Sequence, residues 1–219
     1  GDALKKVVLE LGGSDAFIVA ADADIELAIQ GAISGRFGNT GQACNAAKRL
    51  IVVESVYDTF VKGFTDAVRA MTLSDPLDEK TGLGPMSSKA AAQGLQQQLD
   101  SAIQAGATVL VEGGILKDKP GAWFAPAVLA DVDDSMAVYH QELFGPVAVV
   151  YKARDVDHAV QIANDVPYGL GASIQTQSAT LAADIANKLD VGMVTINAPS
   201  GSEANTPFGG VKCSGFGRE

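Results

Sequence analysis

A cysteine in a turn-forming segment is the residue of this sequence that is best suited to covalent chemistry. Cys44 follows the segment Gly38–Ala43, which contains two glycines and comes after a predicted helix rather than inside an apolar run. A thiolate is a strong nucleophile, and Gly41 would allow the backbone to approach a ligand closely. A second interpretation stays open at this point, because free cysteines are often small buried hydrophobic residues.

Two glutamates could supply acid–base or binding chemistry. Glu10 lies between two leucines and before Gly12 and Gly13, where desolvation would raise its pKa toward a value useful for a general base. Glu142 lies before a Gly-Pro turn, where its carboxylate could accept hydrogen bonds from the two hydroxyls of a sugar. Considered singly, each glutamate is equally well interpreted as an ordinary solvent-exposed residue.

Cysteine hydrolases and acyltransferases form an alternative class for Cys44. Such an enzyme would need His140 or His158 within hydrogen-bond reach of the sulfur. A non-catalytic α/β domain with a buried Cys44 is a further alternative. A serine hydrolase is not supported, since the sequence has no Gly-x-Ser-x-Gly motif. The second cysteine, Cys213, lies among the four glycines of the 207–219 tail and is interpreted as a packing residue.

Alternating apolar runs and helical segments must position these residues. The predicted strands are 17–20, 49–54, 108–112, 123–132, 147–151, 171–175 and 193–197. The predicted helices are one that follows a cap at Asp22 or Asp24, then 56–71 with Ser55 as cap, 88–105, 156–163 with Asp155 as cap, and 179–189. This alternation predicts one α/β domain: a mainly parallel open sheet with helices on both faces. Ligands of such sheets bind beyond the carboxyl ends of the strands, so the site is expected at that edge.

Composition excludes several classes of protein. The chain has 219 residues, 47% of them hydrophobic, and a formal net charge of −10 at pH 7. A chain of this length buries a sizeable core, and its acidity argues against non-specific nucleic-acid binding. No apolar run approaches the ~18 residues of a membrane-spanning helix, and Glu10 interrupts the N-terminal apolar stretch, so no signal peptide is expected. Two cysteines without metal-ligand companions favour a reducing cytoplasm.

Four segments of the chain together resemble the aldehyde dehydrogenase superfamily. They are ELGG at 10–13, GNTGQAC at 38–44, QELFGPV at 141–147 and PFGGVKCSGFGRE at 207–219. The segments occur in the order and at about the spacing of that superfamily, and Glu10 and Cys44 are 34 positions apart, as its pattern requires. The resemblance covers the whole chain and implies the fold of the superfamily's catalytic domain.

The resemblance implies a role for each matching residue. Cys44 corresponds to the nucleophile, and Glu10 to the general base. Glu142 corresponds to the glutamate that binds the nicotinamide ribose, Phe144 to the aromatic residue that helps to place the cofactor, and Leu11 to a residue that lines the nicotinamide site. The implied activity is the oxidation of an aldehyde to a carboxylic acid with NAD or NADP as the cofactor and no metal.

Within the superfamily, the segments ELGGSDAFIV, GNTGQACNAAKR and QELFGPVA are most similar to bacterial succinate-semialdehyde dehydrogenases. Some members of that group hold the substrate carboxylate with an arginine six positions before the nucleophile, where this chain has Gly38. Arg36, two residues earlier, and Ser202, which lies about where the group has a serine that contacts this carboxylate, are the candidate substrate-binding residues.

The resemblance also implies protein segments outside residues 1–219. Members of the superfamily have a dinucleotide-binding domain before the first motif and a strand arm after the last motif that joins subunits. The chain is therefore expected to be the catalytic domain of a homo-dimeric or homo-tetrameric enzyme that acts on a small aldehyde and has no nucleic-acid or membrane partner. By itself the domain is expected to fold but not to turn over substrate.

Overall fold

A seven-stranded sheet forms the centre of the structure, a computed structural model that describes residues 2–79, 81–202 and 204–219. The strands are, in chain order, β1 (Leu9–Glu10), β2 (Asp15–Val19), β3 (Ala47–Val53), β4 (Thr108–Val111), β5 (Gly114–Ile115), β6 (Phe124–Ala125), β7 (Ala127–Ala130), β8 (Val147–Ala153), β9 (Tyr168–Gly169), β10 (Gly171–Gln175), β11 (Met193–Ile196), β12 (Val211–Lys212) and β13 (Gly215–Phe216). In the main sheet they lie in the order β11-β10-β2-β3-β8-β7-β4, and every neighbouring pair is parallel except β4 and β7. The predicted α/β class with a mainly parallel sheet is confirmed.

Helices cover both faces of this sheet. They are α1 (Ile25–Phe37), α2 (Glu54–Arg69), α3 (Lys89–Gln104), α4 (Val156–Asn164) and α5 (Ala179–Lys188). Successive side chains of a strand point to opposite faces, so Phe17 and Val19 of β2 pack in the core with α1 and α2, whereas Ile18 packs in the core with α3, α4 and α5. Full burial of one such side chain stabilises the fold by about 1.5–3 kcal/mol. Among the described residues, no helix combines the length and the apolar character that crossing a bilayer requires.

Side-chain caps define most of the predicted helix starts. Asp24 Oδ1 accepts the Leu27 N–H at 3.1 Å, and Asp155 Oδ1 accepts the His158 N–H at 2.8 Å. The predicted cap at Ser55 is wrong, because α2 already begins at Glu54 and the residue before it has no side-chain oxygen.

Two other predicted segments differ from the structure. The predicted strand 123–132 is divided into β6 and β7 at Pro126, which has no N–H for the ladder. The tail 198–219, whose content of Gly, Ser and Pro predicts mostly loop, contains β12 and β13, which pair with β9 and β1. The pairing with β13 fixes Glu10 opposite Gly215.

Candidate active site

Three of the four motifs lie at the amino-terminal edge of the sheet. Segment 10–13 precedes β2, Cys44 precedes β3, and Glu142 precedes β8, and these three strands are consecutive parallel neighbours. Their amino-terminal ends therefore lie side by side. The predicted location at the carboxyl edge is wrong, because each motif comes before its strand instead of after it.

A strained turn leads to Cys44. Asn39, Thr40 and Gly41 have φ angles of 51°, 57° and 70°, in a left-handed region that is unfavourable for residues other than glycine. The Asn39 side chain donates to the Gln42 carbonyl oxygen at 3.0 Å, and the Gln42 side chain donates to the Asn39 carbonyl oxygen at 3.2 Å. These reciprocal hydrogen bonds hold the turn in shape directly before the cysteine.

Gly12 and Gly13 of the ELGG segment contact the GNTGQAC segment and the QELFGPV segment. A Cβ atom on Gly13 would lie 2.6 Å from the Cys44 carbonyl oxygen, and a Cβ atom on Gly12 would lie 2.5 Å from Glu142 Oε2. The Gly13 N–H donates to Glu142 Oε1 at 3.2 Å. Only glycine permits so close an approach. The segment that carries Glu10 therefore packs directly on the cysteine turn and on the Glu142 carboxylate.

A buried lysine that the sequence analysis missed joins these parts. The Lys48 side chain is 1% exposed, and its Nζ donates to the carbonyl oxygens of Ala43 at 2.9 Å and Cys44 at 2.8 Å and lies 3.3 Å from Glu142 Oε1. Burial lowers the pKa of Lys48 to about 8, and the charge of Arg36 acts in the same direction. The sequence contains one indication of this role: Lys48 lies at the start of an apolar strand. A charged side chain buried there needs hydrogen-bond or charge partners.

The Cys44 side chain is only partly buried. Burial raises the pKa of its thiol above the ordinary value, and the charge of Asp15 adds to this rise. The nearby backbone N–H groups of Asn45 and Cys44 and the charge of Lys48 favour the thiolate and offset only part of this rise in pKa. In this structure the pKa of the thiol is thus above its ordinary value, although a cation and backbone N–H groups that favour the thiolate lie nearby.

Glu10 lies on the exposed strand β1, in the segment whose Gly13 packs on this turn. It lies three positions before Gly13, and three residues span at most about 11 Å. Partial burial and then the Glu219 carboxylate raise the pKa of Glu10, while Arg218 lowers it. A carboxylate with a raised pKa is a stronger base.

Glu142, Phe144 and Leu11 remain accessible beside the turn. Phe144 is 44% exposed, Leu11 is 61% exposed, and the Glu142 side chain is 19% exposed. A carboxylate acceptor and two apolar side chains suit a ligand that has both hydroxyl groups and a flat ring.

Arg36 does not face a ligand. Its side chain is fully buried, and its guanidinium donates to the carbonyl oxygens of Leu143, at 2.9 Å, and Gly145. The expectation that Arg36 binds the substrate is therefore wrong, since the residue ties the end of α1 to the loop that carries Glu142. Its place in the last turn of α1 does not indicate these partners, because a cation there would be expected to meet the last carbonyl groups of its own helix.

Ser202 lies in an exposed loop that reaches the cysteine turn. Asn45 Nδ2, from the residue after Cys44, donates to the Ser200 carbonyl oxygen at 3.4 Å. Ser202 is thus two residues from a contact with the cysteine turn, in a position compatible with its predicted role.

The histidines and the second cysteine lie in other surroundings. His140 Nε2 lies 3.2 Å from the Asp134 carbonyl oxygen, and His158 Nδ1 accepts the Arg154 N–H at 3.1 Å. These contacts give no support to a cysteine–histidine hydrolase. Cys213 is exposed, so its interpretation as a packing residue is wrong.

Asp15 is a second buried ionisable residue near the site that the sequence analysis did not single out. It is 2% exposed at the start of β2, and its Oδ1 accepts the Gly171 N–H at 3.0 Å. Burial raises the pKa of Asp15 to about 6, while the charge of Lys48 opposes the rise.

We expect Asp15→Asn to change how stability depends on pH. The folded-state pKa of about 6 lies above the ordinary 3.8, so the contribution of Asp15 to stability is fully present below the lower value and is lost as the pH rises through the upper one. Asparagine does not ionise. Relative to the parent, the free energy of unfolding of the variant should therefore gain about 2 kcal/mol between about pH 4 and about pH 7. Urea denaturation at both pH values measures this gain, and a difference that is independent of pH contradicts it.

The comparisons with known proteins agree on one family. The model of the aldehyde dehydrogenase family matches residues 1–219. Over the whole of this chain, the NADP-dependent succinate-semialdehyde dehydrogenase of Deinococcus radiodurans is 53% identical, and the NAD(P)-dependent succinate semialdehyde dehydrogenase of Escherichia coli is 46% identical. The crystal structure of succinic semialdehyde dehydrogenase from Streptococcus pyogenes in complex with NADP+ matches 99% of this chain with a TM-score of 0.94 and 39% identity.

The chain spans about half the length of these relatives. It covers 46% of the Deinococcus protein, 47% of the Escherichia protein and 48% of the Streptococcus chain. The similarity therefore applies to one part of each relative.

Proposed function

The chain belongs to the aldehyde dehydrogenase family, and on that premise we propose that residues 1–219 form the catalytic part of an NAD(P)-dependent aldehyde dehydrogenase. The observation that supports this best is the packing of the Gly12–Gly13 pair on both the Cys44 carbonyl group and the Glu142 carboxylate. In this proposal Cys44 is the nucleophile and Glu10 is the general base.

Cys44 begins the reaction. Its thiolate attacks the carbonyl carbon of the aldehyde, a carbon–sulfur bond forms, and the π electrons of the carbonyl move to its oxygen to give a thiohemiacetal. The backbone N–H of Cys44 lies beside the sulfur and donates a hydrogen bond to the oxygen that becomes negative.

The residues around Glu142 fit a nicotinamide dinucleotide. When bound, this cofactor accepts the hydride that leaves the thiohemiacetal carbon. The Gly13 N–H and Lys48 fix Glu142 Oε1, and the 19% exposure of the side chain leaves the carboxylate able to accept hydrogen bonds from ribose hydroxyls. Phe144, two positions after Glu142, and Leu11, next to the Gly12 that approaches the Glu142 carboxylate, offer exposed apolar surface.

Glu10 completes the reaction. After the hydride has left, Cys44 carries a thioester. Glu10 takes a proton from a water molecule, whose oxygen attacks the thioester carbon. The carbon–sulfur bond then breaks, the Cys44 thiolate is restored, and the carboxylic acid is released.

Other parts of the enzyme are proposed to lie outside residues 1–219. The relatives are about twice as long as this chain, and we assign most of the cofactor contacts to a dinucleotide-binding domain in that remaining length. The full-length protein, meaning this chain joined to that domain and to a C-terminal arm, is proposed to be a homo-dimer or homo-tetramer. The exposed free thiol of Cys213 is consistent with a reducing cytoplasm.

Succinate semialdehyde is the proposed substrate, and another small aldehyde is the alternative. The names of the most similar relatives support the first choice. The substrate carries a carboxylate, and Ser202 is the candidate residue that binds it. Butanal has the same number of carbons without that charge, and it therefore separates the two possibilities.

We expect Ser202→Ala to lower kcat/KM for succinate semialdehyde and to leave kcat/KM for butanal unchanged. A hydrogen bond to a charged group contributes about 1.5–3 kcal/mol, so the loss should be about tenfold or more. Steady-state kinetics of the full-length protein measure it, and Ser101→Ala, an exposed serine on α3, is the matched control. Equal losses for both aldehydes, or a parent enzyme that prefers butanal, contradict the substrate assignment.

A further inference from the structure

Lys48 is a buried ammonium group with more acceptors than protons. Its Nζ lies 2.9 Å, 2.8 Å and 3.4 Å from the carbonyl oxygens of Ala43, Cys44 and Ala46, and 3.3 Å from Glu142 Oε1. An ammonium group has three protons, so these four acceptors share them. Charge-assisted bonds of this kind are about twice as strong as neutral ones.

The acceptors belong to two separate parts of the site. The carbonyl groups come from the turn that carries the nucleophile, and the carboxylate comes from a loop 94 positions further along the chain. A single nitrogen atom therefore bridges the Cys44 backbone and the Glu142 side chain. Removing one member of a buried charge pair is costly, because the other charge is left without its partner.

Arg49, the residue after Lys48, has different hydrogen-bond partners. It is also buried, but its guanidinium donates to the carbonyl oxygens of Ser14, Ile162 and Ala163 at 2.8–2.9 Å. Those acceptors belong to the framework between β2 and α4. Of the two adjacent buried cations, Lys48 is the one that contacts the backbone of the proposed nucleophile and the Glu142 carboxylate.

We propose that Lys48 is a positioning residue that holds the Cys44 turn and the Glu142 carboxylate at a fixed separation. This inference rests on the proposed function, since it assumes that Cys44 bears the substrate and that Glu142 binds the cofactor ribose. Hydride transfer requires these two groups to be held close together, and small misplacements of reacting atoms cause large losses of rate. Lys48 touches neither the substrate nor the cofactor and acts through its two partners.

Lys48→Met tests the proposal in full-length protein that also carries Cys213→Ser, so that Cys44 is the only reactive cysteine of residues 1–219. Calorimetry without aldehyde should show the Kd of the cofactor raised about 10- to 100-fold. The rate of Cys44 alkylation by iodoacetamide should fall at neutral pH, because the charge of Lys48 stabilises the thiolate. Lys188→Met is the control, since Lys188 pairs with Asp157 and Asp184 on the surface, and both quantities should stay unchanged.

A double-mutant cycle separates positioning from a general structural effect. Glu142→Gln should raise the cofactor Kd by itself, and adding Lys48→Met should then raise it little further. Full additivity of the two changes overturns the proposal, because Lys48 would not act through Glu142. If Glu142→Gln raises the Kd and Lys48→Met does not, only the proposal for Lys48 is overturned. If Glu142→Gln leaves the Kd unchanged, the cofactor role of Glu142 in the proposed function fails instead.

Lys48→Gln is the second variant, in case the methionine variant does not fold. Its amide can still donate to the carbonyl oxygens of the turn but carries no charge for Glu142. We expect a raised cofactor Kd and a melting temperature above that of the methionine variant, because the amide keeps hydrogen bonds to the turn. A loss of folding in both variants is the result for a purely structural residue, and it overturns the proposal.

Discussion

Cys44→Ser in the full-length protein should abolish aldehyde oxidation. A serine hydroxyl is a far weaker nucleophile than a thiolate when no adjacent base activates it, and the histidine side chains of this chain have their contacts elsewhere. Steady-state production of reduced cofactor should therefore fall by at least about a thousandfold. Cofactor binding, measured by calorimetry, should remain, because the serine keeps the backbone of the turn and its contact with Gly13.

Cys213→Ser is the matched control for this change. Its sulfur is exposed, whereas Cys44 is partly buried in the turn. The control variant should keep the turnover rate of the parent. A Cys44→Ser protein with more than about a hundredth of the parent rate, or an inactive Cys213→Ser protein, contradicts the assignment of the nucleophile.

Glu10→Gln should give a single burst of reduced cofactor followed by slow turnover. Glutamine leaves the thiol attack and the departure of the hydride intact, but it removes the base that activates water. Loss of a general base costs about 10²- to 10⁴-fold in rate, so the thioester accumulates and the burst reaches about one equivalent per active site. Stopped-flow absorbance of the reduced cofactor measures both phases.

Glu54→Gln is the control. Glu54 is the first residue of α2, its carboxylate is exposed, and its Oε1 lies 3.9 Å from Lys152 Nζ. It should show the kinetics of the parent. A Glu10→Gln enzyme whose steady-state rate equals that of the parent would falsify the role assigned to Glu10. If the burst itself is slow and a pH above about 8.5 restores it, Glu10 also removes the thiol proton before the attack.

The elements of the fold were predictable because they depend on local patterns. Runs of β-branched residues mark β3 and β8, and side-chain oxygens at Asp24 and Asp155 mark helix starts. The failures have local physical causes as well: Pro126 divides a predicted strand, and α2 begins one residue before the serine that was expected to cap it. The general rule for parallel sheets predicts a site at the carboxyl edge and is wrong here, because each motif comes before its strand in the chain and so lies at the amino-terminal edge.

The residues around Cys44 were less predictable, because they depend on contacts between distant parts of the chain. Lys48 reaches Glu142 across 94 positions, and Asp15 reaches Gly171 across 156 positions. The spacing of residues in the sequence does not indicate which distant residues form such contacts. Arg36 was assigned to the substrate by its distance from the nucleophile in the sequence, but the helix turns its side chain toward buried backbone carbonyls.

The thioester on Cys44 is the species that the proposed mechanism most directly requires. Full-length Glu10→Gln protein is mixed with succinate semialdehyde and cofactor, quenched in acid during the burst, digested, and examined by mass spectrometry. We expect a succinyl group on the peptide that contains Cys44, at about one per active site, and no such group in the Cys44→Ser protein. Burst formation of reduced cofactor with an unmodified Cys44 peptide, or with the acyl group on Cys213, contradicts the mechanism.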